Sequence, residues 1–127
     1  MTRIDNSKIF YEGVYADVTV YVPAKTTYKE GTVLGRNASG KLTAFTTDVE
    51  NSEPLYILGK DLINDTDSAV EMSLVRVFDG GVCDANKLIF VKAADKTTAA
   101  VLDALKKNGF KLENVENGIS TKCINVK

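Results

Sequence analysis

The sequence predicts an α+β fold in which the sheet dominates: a single β-rich domain with one amphipathic helix near the C-terminus and a terminal hairpin. Several short segments alternate β-branched or aromatic residues with polar ones, as half-buried strands do. One segment, after Asp95, places apolar residues at helical spacing. The length of 127 residues is that of one ordinary domain, and it is enough to bury a core without a disulfide or a metal.

Residues 1–15 contain no obvious core element, because the polar residues 5–8 and 12–13 interrupt the apolar ones. We therefore predict an N-terminal arm over residues 1–15 and a domain over residues 16–127. The apolar contact points of this arm are Ile4, Ile9, Phe10, Tyr11, Val14 and Tyr15.

Five segments predict strands. Val18–Val22 alternates and ends at Pro23. Gly31–Gly35 and Lys41–Thr46 flank the turn-forming residues 37–40, which predicts a β-hairpin. Leu55–Leu58 is a short buried strand, and Val70–Phe78 a longer one. In the longer strand the apolar phase shifts between Leu74 and Val75, which predicts a β-bulge.

The C-terminal part of the chain predicts a turn, a helix and a hairpin. Asp79–Gly81 predicts a turn, and Lys87–Val91 fits either a strand or a short helix. Asp95 is the predicted N-cap of a helix over about residues 96–108, which buries Val101, Leu102 and Leu105 and ends at a left-handed Gly109. The Asn117-Gly118 pair predicts a type I′ hairpin turn between the last two segments.

Composition excludes several classes of function. Hydrophobic residues make up 44% and charged residues 26% of the chain, and no apolar run reaches the roughly 18 residues of a membrane span. The N-terminus lacks the apolar region of a secretory signal, so we expect folding in cytosol. Sixteen basic residues balance seventeen acidic ones, so we expect no direct binding to nucleic acid. Cys83 and Cys123 form no CxxC pair and are interpreted as reduced structural thiols, with a disulfide between them as the alternative.

No residue pattern predicts an active site, a metal or a cofactor. The chain has no histidine, which excludes serine and cysteine catalysis through histidine. Asp61, Asp65 and Asp67 resemble a calcium loop, but Met72 stands where the bidentate glutamate is needed, so we interpret them as a solvated turn. Residues 31–36 lack the further glycine or lysine of a phosphate-binding loop. We expect a protein that is not an enzyme.

Several short sequence segments, taken in their order along the chain, resemble the lambda-type head decoration proteins of tailed bacteriophages. They cover about residues 28–111, and none of them is specific alone. In chain order they are Gly31–Gly35, Ser39–Leu42, Pro54–Leu58 ahead of Asp61, Leu74–Val77, Gly80–Val82 and the helix end Asn108–Phe110. The segment after Phe110 and the N-terminal arm depart from the family, so contacts made by either end cannot be carried over.

The resemblance implies a homotrimer that binds the major capsid protein on the outer surface of the virion, after synthesis in the host cytoplasm. We expect the arm to bind the capsid as an added strand of the capsid protein's sheet. The alternative is that the arm completes this chain's own sheet. Two other functions stay open. One is a carbohydrate-binding adhesin module that stacks sugars on Tyr11, Tyr15 and Tyr21, and the other is a small enzyme that uses Asp61, Asp65 and Asp67.

Overall fold

The computed structural model describes residues 10–113, 115–116 and 119–120, and its side chains from Gly13 to Glu113. The strands are β1 (Phe10–Val22), β2 (Thr26–Tyr28), β3 (Val33–Arg36), β4 (Leu42–Ala44), β5 (Tyr56–Leu58), β6 (Leu62–Asn64), β7 (Val70–Asp84), β8 (Phe110–Glu113), β9 (Val115–Glu116) and β10 (Ile119–Ser120). One α-helix, α1 (Ala99–Lys107), follows two short 3₁₀ helices, Ala85–Lys87 and Ala93–Thr97. The predicted sheet-dominated α+β class is confirmed.

Six strands form the main sheet. Its order is β1-β7-β5-β3-β4, with every neighbouring pair antiparallel, and β8 pairs in parallel with the C-terminal part of β7. The predicted hairpin over residues 31–46 is confirmed as β3 and β4, with Leu34 opposite Ala44. A second, two-stranded sheet joins β2 to β6, two strands that the sequence interpretation missed.

The long strand β7 carries two bulges against β1. Val18 faces Val75 and Val20 faces Met72, so β7 has one extra residue at Ser73–Leu74, and Leu74 has a φ of 55°. The predicted bulge is therefore confirmed. The predicted turn at Asp79–Gly81 is wrong, because β7 runs through it: Gly80 and Gly81 take φ angles of 144° and 123° and form a second bulge instead of reversing the chain.

Each face of the main sheet buries one apolar cluster. On one face, α1 and the segment that precedes it cover Val33, Phe45, Ile57, Phe78, Cys83, Leu88 and Phe110. On the other face, the sheet curls so that β4 approaches β1. The residues enclosed there are Val20, Val22, Leu34, Leu42, Leu58, Leu62, Val75 and Val77.

The helix is placed as predicted, but its start differs. Val101 and Leu105 are buried, Leu102 packs against the same cluster, and Gly109 has the left-handed φ of 98° expected after the helix end. Asp95 is not the N-cap. Asp95 lies in the second 3₁₀ helix, and its carboxylate accepts a hydrogen bond from Thr47 Oγ1 at 3.1 Å. The helix α1 begins only after Thr98.

The remaining C-terminal predictions have mixed outcomes. Lys87–Val91 is neither a full strand nor a helix, since the 3₁₀ helix ends at Lys87 and Ile89 then forms a single parallel bridge with Thr32. The segment after Gly109 was predicted as half of the terminal hairpin, but its first part is β8 of the main sheet. β9 and β10 pair antiparallel, and Asn117 and Gly118 lie outside the described residues.

Candidate functional site

The residues of the predicted arm fall into two groups. Ile4 and Ile9 lie outside the described residues. Phe10, Tyr11, Val14 and Tyr15 belong to β1, which pairs with β7 from Phe10 opposite Cys83 to Val22 opposite Val70. The strand thus begins at Phe10 and includes residues 10–15, which the sequence interpretation placed in an arm without a core element.

Val14 and Tyr15 are paired through the backbone but remain exposed. Each side chain keeps 58% of its accessible surface. Val14 lies opposite the bulge residues Asp79 and Gly80, and Gly80 has no side chain to cover it. Val14 and Tyr15 are consecutive in β1, so their side chains point to opposite faces of the strand, and residues 10–13 separate both of them from residues 1–9.

Tyr15 is held in a defined orientation. Its ring contacts the buried Phe78 ring, with centroids 4.9 Å apart and a tilt of 39°. The Arg76 guanidinium lies 5.2 Å from the centre of the Tyr15 ring, and Arg76 Nε is 3.8 Å from Asp17 Oδ1. A rigid aromatic between an apolar contact and a cation is typical of a residue at a protein interface.

Leu74 extends this exposed surface along β7. It is 82% exposed and adopts the left-handed backbone conformation, which costs a residue with a Cβ about 1–2 kcal/mol. Leu74 and Arg76 are two residues apart on β7, and Arg76 reaches Tyr15 on β1. We call Tyr15, Leu74 and Arg76 the ribbon stripe, and Val14 points to the other face of β1. The sequence marked the bulge at Leu74 through its shifted phase, but nothing in the pattern marked Arg76.

The tyrosines proposed for a sugar site do not come together. Tyr15 and Tyr21 lie six residues apart in the same strand, which separates them by about 20 Å. Tyr21 lies instead beside Lys41, whose Nζ is 5.8 Å from the ring centre. Only the backbone of Tyr11 is described. The two tyrosines with described side chains therefore cannot stack on one sugar ring.

The aspartates proposed for a carboxylate enzyme or a cation site contact lysines and backbone instead. Asp61 Oδ1 accepts the Glu30 backbone N–H at 2.7 Å and its Oδ2 lies 3.9 Å from Lys29 Nζ. Lys25 Nζ lies 3.5 Å from Asp67 Oδ1. Within the described part of the chain, no three histidine, cysteine or acidic side chains are grouped as metal ligands would be.

Two surface cavities are lined by other residues. A polar pocket of about 260 Å³ lies between the β3–β4 hairpin and residues 49–55. A groove of about 410 Å³ lies between α1, β8 and the two 3₁₀ helices. Neither cavity is lined by a tyrosine or an aspartate of the two sets above.

Cys83 is a buried free thiol rather than a reactive one. Burial, followed by the negative charge of the neighbouring Asp84, raises the pKa of Cys83 to about 12. Since the thiolate is the nucleophile, this thiol is inert near neutral pH. This agrees with the interpretation of Cys83 as a reduced structural thiol, while Cys123 lies outside the described residues.

The sequence matches no protein-family model and no curated protein. No helix in the described part of the chain has the length and apolar character needed to cross a membrane.

Proposed function

We propose that this protein is a capsid decoration protein of a tailed bacteriophage or prophage, a structural subunit and not an enzyme. It binds the major capsid protein on the outer surface of the assembled head as a homotrimer, and it stabilises the head against the pressure of packaged DNA. The observation that carries this proposal is the ribbon stripe, whose apolar residues Tyr15 and Leu74 are exposed on the paired strands β1 and β7.

The stripe favours a protein partner. Its aromatic ring is oriented by Phe78 and Arg76, and aromatic residues and arginine are the residue types enriched where protein interfaces gain most of their binding energy. Tyr15 and Leu74 are 58% and 82% exposed, so both side chains are available to a partner.

The segment before the stripe supplies the second part of the proposed contact. Ile4 and Ile9 are apolar points in an otherwise polar stretch, a pattern suited to a strand that pairs with the edge of a partner sheet. Main-chain hydrogen bonds would provide affinity, and alternate side chains would set the register. We also propose a terminal hairpin that turns at Asn117 and Gly118. It lies in the part of the chain that departs from the decoration-protein family.

Stabilisation of the head follows from mass action. A ligand that binds the intact shell and not the ruptured one stabilises the intact state by RT ln(1 + [L]/Kd). Three arms on one rigid trimer gain further, because binding of the first arm raises the effective concentration of the others.

The arm is tested by a deletion that leaves the sheet intact. Because residues 10–15 are part of β1, the informative deletion removes residues 2–9 only. Light scattering should give a trimer for both the full chain and the truncated chain. Co-sedimentation with undecorated heads of the same phage or prophage should fall at least tenfold after truncation, the change expected for about 1.4 kcal/mol of lost binding energy.

The stripe is tested with Tyr15→Ser, and Ile63→Ser is the matched control. Ile63 is 65% exposed on β6, outside the stripe, so both substitutions remove an exposed apolar side chain. Tyr15→Ser should weaken co-sedimentation and Ile63→Ser should not. A monomeric full-length protein that also fails to bind heads would refute the proposed function.

A further inference from the structure

The groove beside α1 is built from four separate segments. Asn86 comes from the first 3₁₀ helix, Lys96 and Thr97 from the second, Leu102 and Lys106 from α1, and Leu112 from β8. Its volume of about 410 Å³ lies within the range of natural ligand sites, about 300–1,000 Å³. Of these lining residues, Leu102 and Leu112 pack against the core below the groove.

The groove has an apolar floor. Leu102 and Leu112 are half-buried and pack against the core cluster that contains Phe110 and Leu105. Leu102 and Lys106 are four residues apart on α1, so they lie on one face of the helix, one turn apart. An apolar side chain from a ligand would thus lie between two leucines with an ammonium group close by.

Both charged residues that line the groove are positive. They are Lys96 and Lys106, and neither forms a salt bridge with a described residue. Other lysines nearby do have partners: Lys92 lies 3.0 Å from Asp48, and Lys107 lies 3.7 Å from Glu53. Lys96 Nζ donates to the Asn86 carbonyl at 2.8 Å, which holds the ammonium at the groove. In a chain with a net charge of −1, this is a local positive site over an apolar floor.

The groove also lies close to the start of β1. Phe10 pairs with Cys83 on one edge of β7, and Leu112 pairs with Cys83 on the other edge. Two strand spacings of about 4.8 Å therefore place the start of β1 roughly 10 Å from β8. A polypeptide engaged by residues 1–9 would have neighbouring residues within reach of the groove.

We infer that this groove binds an acidic peptide segment of a partner protein, in which an apolar side chain is flanked by carboxylates. The leucines take the apolar side chain, and Lys96 and Lys106 take the carboxylates. Small anions would use the lysines but leave the apolar floor uncovered, and a purely apolar peptide would leave the ammonium groups desolvated without a partner. That the partner is the capsid protein rests on the proposed function, whereas the peptide preference rests on the groove alone.

The test is a titration of the ¹⁵N-labelled full chain, at 13.8 kDa well suited to amide NMR. The probe is the blocked peptide Gly-Glu-Leu-Glu-Leu-Glu-Gly. Saturable shift changes should concentrate at Asn86, Lys96, Leu102, Lys106 and Leu112. A peptide with lysine in place of glutamate, a peptide with serine in place of leucine, and inorganic phosphate should each give changes at least tenfold weaker.

The double variant Lys96→Gln/Lys106→Gln should weaken binding of the acidic peptide about tenfold, as expected when two charge-assisted contacts are lost. The single variants Lys106→Gln and Lys107→Gln are the matched pair, because each removes one positive charge on the same helix turn, and Lys107 is the residue that contacts Glu53. Lys107→Gln is the control. Its affinity should stay within about twofold of that of the unaltered chain.

Several results would overturn the inference. They are shifts centred elsewhere, equal binding of the basic peptide, equal response to phosphate, no saturable response at millimolar peptide, or equal weakening by the control variant. A response that appears only after removal of residues 114–127 would assign the groove to the chain's own C-terminal segment and would likewise overturn it. None of these results depends on heads, so failure here is distinct from failure of the co-sedimentation test.

Discussion

Asn64 is the most heavily hydrogen-bonded buried polar side chain among the described residues, and it allows a sharp prediction. Its Nδ2 donates to the carbonyl oxygens of Val22, Pro23 and Ser68, each at 3.0 Å. Its Oδ1 accepts from the backbone N–H of Thr66 at 3.1 Å and from Thr66 Oγ1 at 2.6 Å. One amide thus joins the end of β1, the end of β6 and the start of β7.

Asn64→Asp keeps the shape of this side chain but replaces the donor group with an oxygen. An ionised carboxylate would face three carbonyl oxygens, so the folded state should accept mainly the protonated acid. The folded-state pKa of the new carboxyl then lies above its unfolded value of about 3.9, and stability falls as pH rises. At about 1.36 kcal/mol per pH unit the loss reaches roughly 4 kcal/mol at pH 7. At pH 4 the protonated acid donates one hydrogen where the amide donated two, which costs about 1 kcal/mol.

The assay is urea unfolding at pH 4 and pH 7, followed by tyrosine fluorescence and circular dichroism, since the chain has five tyrosines and no tryptophan. Asn37→Asp is the control. Asn37 Oδ1 accepts the backbone N–H groups of Ser39 and Lys41 at 2.9 and 3.0 Å, and a carboxylate keeps both bonds. That variant should lose no stability between pH 4 and pH 7. If the free energy of unfolding of Asn64→Asp is lower than that of the unaltered protein by the same amount at pH 4 and pH 7, the reasoning is refuted.

Further predictions concern a close packing contact and the buried thiol. Gly35→Ala should destabilise by about 2 kcal/mol in thermal or urea unfolding, because a Cβ there would lie 2.7 Å from the Glu53 carbonyl oxygen and 2.9 Å from Phe45 Cδ1. Gly40→Ala, at a φ of 80° but with open space around the new Cβ, should cost only about 1 kcal/mol of backbone strain, and equal losses would contradict the packing argument. In a Cys123→Ser background, Cys83 should resist a disulfide reagent at pH 8 until urea unfolds the chain, and rapid labelling of the folded protein would contradict its burial. Because the folded-state pKa of Cys83 is raised to about 12, the thiol's contribution to stability is complete below the unfolded pKa and is lost as pH rises from about 9 to about 12.

The sequence predicted those parts of the fold whose signals are local. The β3–β4 hairpin depends on turn residues between two apolar segments, and the helix face depends on spacing within α1. The bulge at Leu74 was visible because the phase of apolar residues changes within one strand. In each case the deciding interaction joins residues close together in the chain.

The errors occur where a distant contact overrides a local preference. Asp79–Gly81 has the composition of a turn, but β1 pairs across it and the glycines form a bulge. Aspartate is a residue type that favours the N-cap, but the carboxylate of Asp95 instead accepts a hydrogen bond from Thr47, which is 48 residues away in the chain. Phe10–Tyr15 was placed in the arm because Glu12 and Gly13 interrupt its apolar residues, but β7 supplies its backbone pairing while Val14 and Tyr15 stay exposed.

The ribbon stripe was predicted only in part, for a related reason. Tyr15 was recognised as an apolar residue without a core role, whereas Arg76 reaches it only through the register of β1 on β7. The groove was not predicted at all, because its lining residues lie between Ala85 and Leu112 with no shared periodicity. Only the parallel pairing of β8 with β7 brings Leu112 to α1.

The bulges connect these surfaces to the fold. Without the extra residue at Leu74, the side chains of β7 would keep one phase, and Val75 and Val77 would not face the same cluster as Met72. The bulge at Gly80 lies where β7 changes partners on one edge, from β5 before the bulge to β8 after it. The other edge of β7 pairs with β1, and Gly80 lies close to Gly109. Both bulges lie beside exposed apolar residues, because Leu74 belongs to the first and Val14 lies opposite the second.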